Sequence, residues 1–199
     1  MRKSLAITAL FLASAVSATA GAQETAVYGG ARDQLTLILP VTASVSGHCG
    51  FANAGSPAAD VDVGDIAAGF SHTLPFTLSC NSPVRLAVQS RNGALRAPDV
   101  PPAGYGASLD YMITVHAVGS RGVSVSASCA ASALTSAATT ACALRGPASS
   151  TQGLSLPDIS LKEPGSYLQL SAPPASGPTP LMASSDYADS LVLTLSPSS

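Results

Sequence analysis

Chemistry in this 199-residue chain would have to come from three histidines, four cysteines and a short acidic run, Asp60-Val-Asp62-Val-Gly-Asp65. An acyl-transfer site needs a nucleophilic serine beside a histidine and an acid, but no G-x-S-x-G elbow occurs. H-E-x-x-H, P-loop and G-x-G-x-x-G patterns are missing as well. His48, His72 and His116 sit in strand or turn contexts with no partner motif, and His72 and His116 read as surface or rim residues, not general bases. The three aspartates could hold a cation through carboxylate oxygens, yet they lack the D-x-[DN]-x-[DN]-G order and read as a solvated loop. Without a C-x-x-C pair, and with histidines scattered, the cysteines do not read as metal ligands. The expectation is a chain with no catalytic residue, no cofactor and no bound metal, and so not an enzyme.

The elements that would carry any other function follow from composition. Hydrophobic residues make up 46%, charged residues 10% and aromatics 5%, with no Trp. A chain so poor in charge and rich in apolar residues is not an ordinary disordered one, and it can build a core. Ala, Ser, Thr, Val, Leu and Gly favour many short strands joined by small-residue turns, so one all-β domain is expected.

Residues 1–22 read as a secretory signal peptide: Arg2 and Lys3, an apolar run from Leu5 to Val16, then Ala18-Thr-Ala20 or Ala20-Gly-Ala22 before Gln23. That run falls short of the roughly 20 residues a spanning helix needs, so no membrane insertion of the mature chain is expected. Without the leader, seven basic residues face eleven acidic ones, which leaves no basic patch for nucleic acid. Export puts the four cysteines in an oxidising compartment. They permit three pairings, and the sequence alone does not choose among them. Spacing prefers Cys49 with Cys80, tying two neighbouring strands, and Cys129 with Cys142 as a local staple across an Ala/Ser/Thr loop. Loop-closure entropy values the first at roughly 3.5 to 4 kcal/mol and the second at about 3 kcal/mol.

From Val27 onward, apolar residues favour odd positions over an unusual length, with Leu35, Leu37, Leu39, Val41 and Val45 in one register. Strands rarely run so far, and Pro40 cannot donate to a ladder, so a break is expected there. Residues 23–39 then form an N-terminal extension and residues 40–199 the folded domain, with Val41 to Cys49 as its first strand. Further alternation marks strands at His72 to Cys80, Val84 to Gln89, Leu109 to His116 and Val123 toward Cys129. Others follow at Leu154 to Leu161, Tyr167 to Leu170 and Tyr187 to Leu195. Turn signals between them, such as Asn92-Gly93, point to a β-sandwich. No solenoid repeat or helical stripe interrupts the pattern.

Three stretches together resemble the spore coat protein U family, which includes the pilins of archaic chaperone-usher pili. They are Val45-Ser-Gly-His-Cys49, then Thr77-Leu-Ser-Cys80 followed by Val84-Arg-Leu-Ala-Val88, and the ending Asp186-Tyr187-Ala-Asp189-Ser-Leu191-Val-Leu193-Thr-Leu195. The ending matches that family's final strand motif except that Asp186 stands in place of Gly, and the Cys129/Cys142 loop is an addition. The resemblance implies an incomplete immunoglobulin-like β-sandwich whose groove receives the N-terminal extension of the next subunit. A missing strand leaves backbone groups unpaired along an apolar trough, and an added strand completes the ladder while its alternate side chains fill the pockets. The donor residues would be Val27, Leu35, Leu37 and Leu39. Burying three leucines is worth roughly 5 to 9 kcal/mol before ordering costs. The implied partners are a periplasmic pilus chaperone, an outer-membrane usher and neighbouring pilin subunits. The implied location is the periplasm and then a surface filament serving adhesion or biofilm formation. The alternative is a self-contained secreted or coat protein whose extension folds back into its own groove.

Overall fold

The computed structural model describes residues 42–52, 60–176, 178–184 and 186–198. Ser44–Ser199 forms one unit, to which everything below refers. Leu35, Leu37, Leu39 and Val27 lie outside the described residues, as do residues 1–22, where a signal peptide was expected.

Twelve strands are present among the described residues: β1 (Cys49–Phe51), β2 (Phe70–Pro75), β3 (Leu78–Cys80), β4 (Val84–Ser90), β5 (Leu95–Arg96), β6 (Ser108–Leu109), β7 (Met112–Val118), β8 (Ser124–Ala130), β9 (Leu154–Leu156), β10 (Ser160–Leu161), β11 (Tyr167–Ala172) and β12 (Leu191–Pro197). The only helical turns described are 3-10 turns at Ile66–Ala68 and Ala131–Leu134. One layer is the antiparallel sheet β2-β11-β7-β8. Against it pack β12-β4-β9 and β1-β3-β10, which adjoin where β12 runs beside β1. The all-β sandwich expected from the alternation is thus the architecture observed.

The core lies between the layers. Leu86 and Val88 of β4, Ile113 and Val115 of β7, Leu78, Phe76, Leu134, Leu144 and Leu156 are buried, as the inward positions of alternating strands must be. At one long side β8 rests against β9, and the Cys129–Cys142 bridge anchors the neighbouring loop. β2 and β12 each end a hydrogen-bonded sheet, and among the described residues each forms a ladder on one side only.

Several strand boundaries differ from the alternation; Leu109 to His116, for one, breaks at Asp110-Tyr111 into β6, which pairs with β5, and β7, which pairs with β8 and β11. The strand expected at Val41 to Cys49 begins only at Cys49: Ser44–His48 is exposed and has no ladder, and it is tied to Asn81 by the His48 N–H donating to Asn81 Oδ1 at 2.7 Å, the Asn81 N–H donating to the His48 carbonyl at 3.1 Å and Asn81 Nδ2 donating to the Ser46 carbonyl at 3.2 Å. His72 to Cys80 keeps its inward phase but divides into β2 and β3, which belong to different sheets. Pro75 has no N–H, the Phe76 N–H goes to the Ser166 carbonyl at 3.0 Å, and β3 then pairs with β1 and β10. Leu154 to Leu161 is likewise split at Pro157-Asp158, β9 going to β4 and β10 to β3.

That last split is held by a buried carboxylate. Asp158 is 1% exposed and accepts from the Arg121 N–H at 2.9 Å, Arg121 Nε at 2.7 Å and the Ile159 N–H at 2.9 Å. The Arg121 backbone N–H, and then the Arg121 guanidinium, hold its carboxyl below the ordinary carboxylate value, against the opposing effect of burial. Gly119 permits this approach, because a Cβ there would stand 2.7 Å from Asp158 Cβ.

Candidate functional site: an apolar groove beside the C-terminal strand

Between β2 and β12 the layers part into a groove of about 920 Å3. Its floor carries Leu168, Leu170, Val88 and Tyr111, and its walls Phe70 and Leu74 of β2 and Leu191 and Leu193 of β12, with Phe51 at one end. Phe51, Phe70, Leu74, Leu170, Leu191 and Leu193 touch the core yet remain partly open to solvent. Apolar side chains that the fold has only partly covered, along a strand edge that carries no second ladder among the described residues, are what an incoming strand can use.

Two side chains of the C-terminal motif set the position of that edge. The Tyr187 hydroxyl lies 3.0 Å from the Met182 carbonyl and 3.3 Å from the Gly106 carbonyl, tying the approach to β12 onto the segment bridged at Gly106 and Leu181. Asp189 is more heavily engaged. It accepts from Ser90 Oγ at 2.5 Å, the Ser190 N–H at 2.7 Å, the Tyr111 hydroxyl at 2.8 Å and the Asn92 N–H at 2.9 Å. Burial, then the hydrogen bond to Asp189 and its charge, push the Tyr111 phenol far above its ordinary range, so it stays a neutral donor. After this lock, β12 pairs with β4 through Leu191↔Ser90, Leu193↔Val88 and Leu195↔Leu86. The strand motif therefore starts later than the alternation from Tyr187 suggested: Tyr187 and Asp189 are fasteners, and Leu191, Leu193 and Leu195 form the inward row of the strand itself.

The cysteines pair as Cys49–Cys80 and Cys129–Cys142, the order that their spacing favoured. The first bridge joins directly opposed positions of β1 and β3, one turn of the pleat from Phe51 in the groove. Two disulfides and no free cysteine fit an oxidising environment outside the cytoplasm. Among the described residues no helix is long and apolar enough to cross a membrane.

The polar residues singled out in the sequence do not converge. His72 and His116 sit on the sheet β2-β11-β7-β8, His116 stacked on Tyr167 at 5.1 Å, while His48 precedes β1. Asp60, Asp62 and Asp65 do line one rim of the groove, but Asp62 accepts from the Gly64 N–H at 2.9 Å and Asp65 caps the 3-10 turn through the Ala67 N–H at 3.0 Å. These are turn-forming roles. Sequence reasoning missed Ser90, Tyr111 and Asp158, each of which looked like an ordinary member of an alternating strand or turn. It also did not separate Leu74 and Leu168 from core, since a groove wall and a core position share the same inward phase, and it began the strand at His72, which left out Phe70.

Comparison with protein-family models, with curated proteins and with solved structures finds no match for this chain.

Proposed function

We propose that this protein is a structural subunit of a surface pilus or fimbria, an incomplete immunoglobulin-like sandwich assembled by donor-strand exchange. The extension at residues 23–39 of one copy, with Val27, Leu35, Leu37 and Leu39 in one register, would lie in the groove of the next. The observation that carries this reading is the groove between β2 and β12, with apolar floor and walls and an acidic rim at Asp60, Asp62 and Asp65, bordered by two strands that among the described residues form a ladder on one side only. Its half-covered leucines and phenylalanines match a donor whose apolar residues alternate. By the resemblance to the spore coat protein U family, a periplasmic chaperone lends a strand until an outer-membrane usher catalyses exchange, and the filament serves adhesion or biofilm formation. The two disulfides agree with export before assembly.

Leu37→Asp tests the reading. A charge carried into an apolar pocket blocks strand insertion, while the recipient domain beyond Pro40 is untouched. Polymerisation is expected to fail, and the protein to persist as a soluble one-to-one complex with its chaperone. Aggregation or degradation with or without chaperone would instead assign the strand to its own subunit. Filaments of normal length and heat stability would refute donation by this segment.

A further inference from the structure

Leu191, Leu193 and Leu195 repeat at period two, so sliding β12 along β4 by two residues sets leucine again where leucine had been. The apolar pattern cannot select one register, and a feature that does not repeat has to. We infer that Asp189 is a positioning residue, the register pin of β12; its importance for assembly rests on the strand-addition reading proposed above.

The geometry supplies the reason. Ser90 and Asn92 belong to β4 and the turn after it, whereas Tyr111 enters β7 in the opposite layer. One carboxylate thus fixes the start of β12 against both layers. Ser90 is 4% exposed and Tyr111 is 4% exposed. A two-residue slip would bring Tyr187 or Leu191 to the position of Asp189 and leave these buried hydroxyls without their acceptor, a cost that the leucine row does not impose. Ser90 is itself held, since its Oγ accepts from the Gly93 N–H at 2.7 Å in the turn that closes β4. Because Tyr111, Leu191 and Leu193 all line the groove, the register chosen by Asp189 also decides which pockets an added strand meets.

The test uses the full mature chain carrying Leu37→Asp, so that its own extension is disabled, and a synthetic peptide of residues 24–39 with photoreactive benzoylphenylalanine in place of Leu37. Cross-links are mapped by mass spectrometry. The unsubstituted acceptor is expected to give one site. Asp189→Ala is expected to add sites two residues away and to weaken peptide capture about tenfold, the worth of one lost charged hydrogen bond. Asp189→Asn, which keeps an oxygen for the Asn92 and Ser190 N–H groups but not the second oxygen that accepts from Ser90 and Tyr111, should restore only part of the single-site pattern. A purely structural role would lower stability while leaving one site. Should Asp189→Ala not accumulate, Tyr111→Phe decides, because it removes one hydroxyl and keeps the ring; it should add a minor second site. A single site in whichever of the two folds overturns the inference. Absence of any cross-link to the unsubstituted acceptor would count against strand addition instead. The register is then read in the free chain from backbone NMR contacts across the β4–β12 pair: Val88 should face Leu193 alone in the parent, and Asp189→Ala should add a second set in which Leu191 or Leu195 faces Val88; absence of that second set refutes the pin.

Discussion

Leu193 of β12, opposite Val88, and Leu86 of β4, opposite Leu195, lie in one ladder, but they have given up their solvent to different degrees. Leu86 is fully buried, whereas Leu193 touches the core and still opens into the groove. Truncating Leu86 to Ala removes buried methyl groups and leaves a cavity, at a cost of about 2 to 5 kcal/mol to the fold. Burial of a whole leucine is worth roughly 1.5 to 3 kcal/mol, and the fold has collected only part of that at Leu193. Leu193→Ala should therefore cost the free chain about 1 to 2 kcal/mol, and cost a bound donor strand about 1 kcal/mol more, which is roughly fivefold in affinity. Urea denaturation of the full mature Leu37→Asp chain, together with titration by a labelled peptide of residues 24–39, separates the two quantities. Leu86→Ala should lower the denaturation midpoint further than Leu193→Ala and leave peptide affinity unchanged. If the two substitutions act alike, with stability lost and affinity constant in both, then Leu193 is core and the groove is not a strand acceptor.

Replacing Cys49 and Cys80 together by Ser should destabilise the fold by roughly 3.5 to 4 kcal/mol, against about 3 kcal/mol for the Cys129/Cys142 pair, as read from denaturation midpoints under oxidising conditions. Asp158 has a folded-state pKa below its ordinary value of 3.8, so it binds a proton more readily when unfolded. Its stabilisation is complete above that ordinary value and is lost as pH falls through the lower folded-state value. Thermal midpoints below about pH 4 should drop less steeply in Asp158→Asn than in the parent. Gly119→Ala, which would set a methyl 2.7 Å from Asp158 Cβ, should cost about 1 to 3 kcal/mol and loosen the Arg121 contact, measured by denaturation and by amide exchange at Arg121.

Strand content was legible because alternation is a local property: at His72, Leu74, Phe76, Leu78 and Cys80 the inward phase survives even though the chain changes sheets between Pro75 and Leu78. The place of that change was not legible. It depends on which partner offers a carbonyl to the Phe76 N–H, and that partner, Ser166, lies 90 residues along the chain. Likewise, nothing local separates Leu86 from Leu193; both are leucines at alternating positions, and their difference arises because β4 has a hydrogen-bonded ladder on both sides and β12, among the described residues, on one. Asp189 was recognised as part of an ending motif, but its work depends on Ser90, Asn92 and Tyr111, between 78 and 99 residues away. The amino-acid sequence by itself determined the all-β class, the inward phase of each strand and the favoured pairing of the cysteines, since period-two burial and loop spacing are written in neighbouring residues. Which inward residues line a groove, where strands change sheet and what fixes the register of β12 were decided only by the tertiary structure, because hydrogen-bond partners and solvent cover come from segments distant in the chain.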